Sequence, residues 1–176
     1  MRILMGLTVV GLAAAPVLVA QQVANPVVTS AKEIFVRQSK YMVDAAEEMP
    51  AEKYGYRPTP EQWTFGNIIS HVADANNRVC AMFSDTPAPH GAKVSETSSK
   101  EVLEAALKAS FEYCSAALDG LQDAKLGDTI TYFCGAKKPR ARALIELTDD
   151  LEDHYSQMAS YLRLNGMVPP SAKPKK

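Results

Sequence analysis

Four stretches of this sequence repeat apolar residues at steps of three and four, and this period limits the fold more than any other feature. Such spacing places apolar side chains along one face of an α-helix. The predicted helices span residues 30–49, residues 64 to about 83, residues 98 to about 121, and residues 140–165. Loops rich in proline, glycine and serine separate them. The sequence therefore predicts an all-α fold, a four-helix bundle.

Local end signals support these helix boundaries. Thr64 is a good N-cap for the second helix, and Ser98 with Glu101 forms a capping box for the third. Pro139 suits the start of the fourth helix. The segment 127–139 favours β-structure and turns, and we predict only a brief extended excursion there, not a sheet.

The first 20 residues do not belong to the bundle. A basic start at Arg2, an apolar run and small residues ending at Ala20 are typical of a secretory signal peptide cleaved after Ala20. An uncleaved membrane anchor is the alternative, because the run is nearly long enough to span a bilayer. The predicted organisation is a signal peptide over 1–20, the bundle over 28–170 and a disordered tail over 171–176. Export predicts a periplasmic or secreted protein.

The charge of the chain argues against a nucleic-acid partner. Its formal net charge is −1 at pH 7, and the sequence has no clustered basic patch of the kind that nucleic-acid binding requires. After cleavage of the signal peptide we expect no stable membrane span. A small molecule is the expected substrate or ligand. The formation of a homodimer through an exposed helix face is a further possibility.

The chain has three cysteines, Cys80, Cys114 and Cys134, and export would allow a disulfide. Cys80 lies about sixteen residues into the second predicted helix, and Cys114 lies about as far into the third. Antiparallel helices would offset these two sulfur atoms by much of a helix length, whereas parallel helices would bring them level. The loop of about fourteen residues between the helices can span a helix length. A Cys80–Cys114 disulfide and two unlinked buried thiols are both open.

Three polar side chains lie on or beside the apolar faces of the second and fourth helices. Asp150 and His154 are one helical turn apart and share a face, and His71 borders the apolar face of the second helix. Polar groups that face a core need partners, and one metal ion bound by two imidazoles and a carboxylate would satisfy all three. Three protein ligands leave an open coordination position, as in catalytic sites. The alternatives are a histidine hydrogen-bonded to a neighbour and a simple His154–Asp150 pair.

Several neighbouring residues are weaker candidates for a role at this site. His90 lies in a loop and is a weaker candidate ligand than His71. Asp74 follows His71 by one turn. Its carboxylate is a candidate to orient the His71 imidazole by accepting a hydrogen bond from the ring nitrogen that does not bind the metal. The alternative is that Asp74 is a plain surface acid. Asp149 and Asp153 are interpreted as part of a solvated helix face.

The sequence resembles the DinB-like superfamily of four-helix bundles with a metal site, a group unrelated to the DNA polymerase of the same name. The resemblance covers nearly all of the predicted mature chain and is carried by the segments YGYRPTPEQWTFGNIISHVADAN, LKASFEYCSAALDGL and EDHYSQMASYLRLNGMVPPS. It implies an up-down-down-up order of the helices, in which the second and third are parallel. This order agrees with Cys80 and Cys114 lying level.

The resemblance also implies a set of metal ligands. The family's usual ligands are three histidines, one early in the second helix and two spaced four residues apart in the last. His71 matches the first and His154 the last, whereas Asp150 stands where the family pattern has histidine. A carboxylate is a harder ligand than imidazole, so we expect zinc first, with iron, manganese or nickel as the other divalent candidates. Alternatively, the substitution marks a site that has lost its metal.

The function that the resemblance implies is that of an exported metal-dependent enzyme, which would activate a water or a thiol. Relatives of this fold include thiol-dependent transferases and hydrolase-like proteins. Export favours hydrolysis or an unassigned reaction, because low-molecular-weight thiols are mainly cytoplasmic. No catalytic residue beyond the ligands is assigned. The alternative is a non-catalytic protein with a degenerate metal site. Such a protein would bind a metal or a small ligand, or act in a stress response.

Overall fold

The computed structural model describes residues 23–84, 86–89 and 93–174. Within these ranges the chain is mainly helical, as predicted, with four long helices: α1 (Pro26–Glu48), α2 (Phe65–Phe83), α3 (Lys100–Asp119) and α4 (Arg140–Leu164). Between α3 and α4 runs an antiparallel pair of short strands, β1 (Thr129–Thr131) and β2 (Lys137–Pro139). No helix in these ranges has the length and apolar character needed to cross a membrane. The predicted signal peptide, residues 1–20, lies outside the described residues.

Side chains from all four helices meet in one hydrophobic core. The apolar stripes predicted from the sequence are buried in it, and the largest fully buried side chains include Met42, Phe65, Phe83, Leu107, Leu147 and Tyr161. Burying a side chain of this size contributes about 1.5–3 kcal/mol to folding. Because α2 packs directly against α4, the core also fixes the side chains that project from the seam between these two helices.

The start of α1 depends on a residue far away in the sequence. α1 begins at Pro26, four residues before the predicted boundary of residue 30. The Asp123 carboxylate accepts the N–H groups of Val27 and Val28 at 2.9 Å each, and the Asp123 N–H donates to the Asn25 side chain at 3.0 Å. These bonds satisfy N–H groups that a helix start leaves free, and the negative charge suits that end of the helix. The local sequence around residue 26 contains no sign of this cap.

Two other helix starts are capped by local side chains. Thr64 is the N-cap of α2, as predicted, because its Oγ1 accepts the Asn67 N–H at 3.0 Å. The cap of α3 is Ser99 and not the predicted Ser98. Either hydroxyl suits a cap chemically, and the actual one is set by which residue adopts the extended conformation before the helix. The predicted position was therefore wrong by one residue.

Gly66 lies in the first turn of α2, where backbone segments approach closely. A Cβ there would lie 3.0 Å from the Glu96 carbonyl oxygen and 3.3 Å from the Tyr54 carbonyl oxygen. We expect Gly66→Ala to lower the free energy of unfolding by about 1–3 kcal/mol, because backbone cannot yield as a side chain can. Urea denaturation followed by circular dichroism measures the change. The matched control is Gly55→Ala, where a Cβ meets nothing within 4 Å, and equal stability of the two variants would contradict the expectation.

α2 and α3 are joined by polar and covalent contacts at successive levels. The Asn76 side-chain amide donates to Ser110 Oγ at 3.0 Å. One turn further on, Cys80 and Cys114 form a disulfide with Cα atoms 5.4 Å apart. Both of these cysteines are fully buried, so the structure contains the disulfide that the sequence left open. Cys134 is a free, exposed thiol.

The segment 127–139, for which we predicted a brief extended excursion and no sheet, forms a two-stranded antiparallel sheet, the β1–β2 hairpin. The extended excursion is confirmed, and the expected absence of a sheet was wrong. The Tyr132 hydroxyl donates to the Glu146 carboxylate on α4 at 2.6 Å, and the Arg142 guanidinium lies 5.5 Å from the centre of the Tyr132 ring. Burial and the adjacent Glu146 carboxylate raise the pKa of Tyr132 to about 12, so the hydroxyl remains a donor at neutral pH. The hairpin is held against α4 by these contacts.

Beyond α4 the chain returns to the bundle. The Ser171 N–H donates to the Tyr155 hydroxyl at 2.8 Å, and Lys173 pairs with Glu48 on α1. A short 3-10 helix, Pro170–Ala172, carries the first of these contacts. They involve the first part of the segment that we predicted as a disordered tail, and residues 175–176 of that tail lie outside the described residues. The proposed domain limits stay predictions.

Candidate metal centre

The structure brings together the three side chains that the sequence singled out. His71 projects from the second turn of α2, and Asp150 and His154 project from α4 one turn apart. One ligand atom from each lies within 4.8 Å of the other two. Asp150 Oδ1 is at the centre of the group, 3.6 Å from His71 Nε2 and 3.5 Å from His154 Nε2. The packing of α2 on α4 therefore creates a cluster of two imidazoles and one carboxylate.

Two of the three separations between these atoms fit a small divalent cation, and the third is at most 4.8 Å. Ligands about 2.0–2.2 Å from a tetrahedral ion are separated from one another by about 3.3–3.6 Å. The two distances from Asp150 Oδ1, 3.5 and 3.6 Å, lie in that range. They are longer than the roughly 2.7–3.2 Å of a well-formed N–H···O hydrogen bond. Two nitrogens and one oxygen are also a donor set that zinc and related metals use.

Asp150 is the charged member of the cluster. Burial raises the pKa of its carboxyl group, but the contacts with His154 and His71 outweigh burial and hold that pKa well below its ordinary range. The imidazole nitrogens of His154 and His71, 3.5 Å and 3.6 Å from Oδ1, favour the ionised carboxylate. At neutral pH Asp150 is therefore a carboxylate, which is the form that binds a cation.

The cluster is buried at one end and open at the other. The exposed fraction of the side chain is 7% for His154, 23% for Asp150 and 30% for His71. His154 is thus enclosed by the bundle, whereas His71 borders the solvent. Any small molecule that reaches the cluster approaches it from the side of His71 and Asp150.

Trp63 covers both imidazoles and was not anticipated from the sequence. Its ring centre lies 4.8 Å from that of His71 and 5.6 Å from that of His154, and it is nearly parallel to the His154 ring, at 17°. The Tyr161 hydroxyl donates to the Trp63 carbonyl at 3.0 Å and fixes the backbone there. Trp63 precedes the helix in a loop, so no period marks it. The available signal was that it is the chain's single tryptophan, next to the N-cap Thr64.

The other candidates lie away from the cluster or outside the described residues. Asp74, the predicted acceptor for the His71 ring, is largely exposed, and its carboxylate pairs with Arg78 at 3.0 Å. Arg78 is one turn further along the same helix face and competes for the carboxylate. The acid that contacts His71 is Asp150, so the structure does not support the proposed role of Asp74. His90 falls outside the described residues.

Comparison with protein families gives one match that covers most of the chain. The family model of the DinB superfamily matches residues 34–158. This range includes all three residues of the cluster and all of the helical region except about two turns at the start of α1 and at the end of α4. Curated protein sequences give no match.

Several solved structures have a similar fold. A DinB-like protein from Bacillus subtilis is 18% identical, with a TM-score of 0.64 over 79% of this chain and 94% of that one. A DinB-like protein from Bacillus cereus is 15% identical, with a TM-score of 0.62 over 81% and 95%. A mycothiol-dependent maleylpyruvate isomerase is 14% identical, with a TM-score of 0.61 over 74% of this chain, which spans only 60% of that protein. At these identities the likeness concerns the fold.

Proposed function

The chain belongs to the DinB superfamily, and on that basis we propose that it is an exported metal-dependent enzyme whose metal ligands are His71, Asp150 and His154. Zinc is the first candidate metal, with iron, manganese and nickel as the others. The proposed reaction is hydrolytic or of a class not yet assigned, and the proposed substrate is a small molecule.

One observation carries this proposal. Asp150 Oδ1 lies 3.6 Å from His71 Nε2 and 3.5 Å from His154 Nε2, and these are the separations of neighbouring ligand atoms around a tetrahedral ion. The three residues supply fewer than four ligand atoms when each gives one, so a position stays available for a further ligand. The partial exposure of His71 and Asp150 supports access of a substrate to that position.

The residues in and around the cluster would have different roles in such a site. A divalent ion held by the three ligands would supply Lewis acidity to a bound substrate. Asp150 contributes the negative charge that attracts the cation. Trp63 packs on both imidazoles and limits their rotation, and it shields from solvent the face of the His154 ring on which it stacks. His71, at the open end, borders the path by which substrate enters.

The helix order and the export of the protein are part of the same proposal. We propose the up-down-down-up order, supported by contacts whose residue numbers rise together along neighbouring helices. On α2 and α3 these contacts are the Asn76–Ser110 bond and the disulfide, and on α1 and α4 they include stacked Tyr41 and Tyr155. Export is supported by the sequence of residues 1–20 and by the disulfide, since disulfides persist in oxidising compartments. Mass spectrometry of protein from the periplasm should find a chain that begins at residue 21.

A test with cobalt separates an enzyme from a closed binding site. Cobalt(II) replaces zinc in many sites and absorbs visible light according to its ligands. We expect cobalt to bind wild-type protein with one equivalent, and the spectrum to change when azide or a small thiol is added. Failure of the wild-type protein to take up any divalent metal would refute the proposal.

A second function is favoured by one specific feature, the central place of Asp150. Because its carboxylate contacts both imidazoles, the cluster can satisfy its own charges, and this suits a protein that binds a metal or small ligand without catalysis. In that case the cobalt spectrum would not respond to azide or thiol at saturating concentration. The same titration therefore decides between the two functions.

A further inference from the structure

We propose that Asp153 is a positioning residue, whose carboxylate accepts the Nδ1–H of His154 and so leaves His154 Nε2 free to bind the metal. This inference deepens the proposed function and rests on it for the identity of the bound ion. It also revises the interpretation of Asp153 as one of several acids on a solvated helix face.

The first observation is an unpartnered atom. His154 Nδ1 is buried, and no hydrogen-bond partner for it occurs among the described residues. Only 7% of the His154 side chain is exposed. A buried polar atom without a partner costs about 1–3 kcal/mol, and native structures leave few such atoms. The Nδ1 atom therefore requires a hydrogen-bond partner close by, and the partner is an acceptor when Nδ1 carries the proton.

The second observation is that the rest of the His154 ring is already engaged. Its Nε2 atom lies 3.5 Å from Asp150 Oδ1. One face of the ring is stacked on Trp63, and its centre lies 4.7 Å from the centre of the His71 ring. These contacts oppose a rotation that would exchange the two nitrogens. Nδ1 is the one polar atom of the ring that remains to be satisfied.

The third observation identifies the acceptor. Asp153 Oδ2 lies 4.0 Å from His154 Nδ1, about 1 Å beyond the usual hydrogen-bond distance. The same Oδ2 atom accepts a hydrogen bond from Gln157 Nε2 at 2.9 Å, and a carboxylate oxygen can accept two such bonds. The Asp153 side chain is 69% exposed. A small side-chain rotation therefore closes the distance without disturbing the core.

The consequence for the metal follows from the chemistry of imidazole. A neutral imidazole carries one proton, and the nitrogen without the proton is the one that binds a metal. An acceptor at Nδ1 keeps the proton there and raises the basicity of Nε2. Loss of such a partner typically lowers metal affinity about 10–100-fold. Asp150 faces Nε2, so without Asp153 the proton would tend to lie on the side where the metal should bind.

Asp149 provides a matched control, because it is an exposed acid on the same helix, one turn before Asp153. Asp153→Ala and Asp149→Ala remove the same charge near the cluster, but only the first removes the acceptor. We expect zinc affinity to fall about 10-fold or more in Asp153→Ala and less than about 3-fold in Asp149→Ala, where only long-range charge is lost. Asp153→Asn retains an acceptor oxygen and should recover part of the affinity. Quenching of the single tryptophan, Trp63, reports the binding.

A second readout does not require metal. Nitrogen-15 spectra of metal-free protein distinguish the two tautomers of the neutral His154 imidazole. We expect the Nδ1-protonated form in wild-type protein and in Asp149→Ala, and a shift toward the Nε2-protonated form in Asp153→Ala. Unchanged tautomers in Asp153→Ala would overturn the proposal, as would equal zinc affinities of the two alanine variants. If wild-type protein binds no zinc, the proposed function fails and the tautomer alone decides the role of Asp153.

Discussion

Replacing His154 with alanine should lower zinc affinity by more than about 100-fold, because loss of a direct ligand exceeds the loss of an outer partner. His154 is the most buried of the three cluster residues. Elemental analysis of reloaded protein gives the stoichiometry, and a titration followed by Trp63 fluorescence gives the affinity. We expect one zinc per wild-type chain and none per variant chain.

Two further variants make this result interpretable. Ser156→Ala changes an exposed residue of the same helix and should bind zinc as wild type does. His71→Ala lies at the open end of the cluster, where truncation disturbs packing less than at His154, and should lose zinc with its fold retained. Equal binding by wild-type protein and both histidine variants would mean that the metal is held elsewhere.

Asp150→His tests the departure from the family's three-histidine pattern. The change replaces a hard oxygen ligand with an imidazole, so preference should move toward nickel and copper. Competition titrations between zinc and nickel measure this shift against wild-type protein. Zinc binding by Asp150→His alone, with none by wild-type protein, would mean that Asp150 has disabled the site, and the enzyme hypothesis would then be abandoned.

Removal of the disulfide should have the largest effect on stability. Cys80 and Cys114 are separated by 34 residues, and closing a loop of that size reduces the conformational entropy of the unfolded chain by an amount worth about 3–4 kcal/mol. The double variant Cys80→Ala/Cys114→Ala should unfold at a urea concentration lower by more than about 1 M. Because both side chains are buried, alanine also leaves small voids that add to the loss.

The third cysteine supplies the control for this experiment. Cys134 is exposed and free, so Cys134→Ala should unfold at the wild-type urea concentration. A reductant should lower the midpoint of wild-type protein and of Cys134→Ala, but leave the double variant unchanged. If the double variant is as stable as wild type under oxidising conditions, the cross-link does not constrain the unfolded chain as the entropy argument requires.

The parts of the site that could be predicted from the sequence are those set by helical period. Asp150 and His154 share a face because they are four residues apart, and the stripe beside them fixes which way the face points. His71 could be assigned to the same cluster because the apolar stripe of α2 had to pack on other helices. The family resemblance added expectations for the helix order and the ligand roles, which the period alone does not contain and which stay predictions.

The parts that could not be predicted depend on contacts between distant segments. The cap of α1 comes from Asp123, more than ninety residues away, and no local pattern around residue 26 indicates it. Trp63 covers the imidazoles from an irregular loop, where spacing has no structural meaning. The two alternatives for Asp74 could not be separated, because sequence gives its distance from His71 but not the competition from Arg78 for its carboxylate.

The Cys80–Cys114 bond also limits sliding of α2 along the axis of the bundle. Packed helices can ratchet past each other by one turn, about 5.4 Å, and such a shift would exceed the 3.6 Å between His71 and Asp150. Cys80 lies nine residues beyond His71 on the same helix, and the covalent bond means that α2 can slide only if α3 moves with it. Two sulfur atoms more than two helical turns from the imidazole thus tie its axial position to α3, so that only a joint shift of both helices would separate it from Asp150.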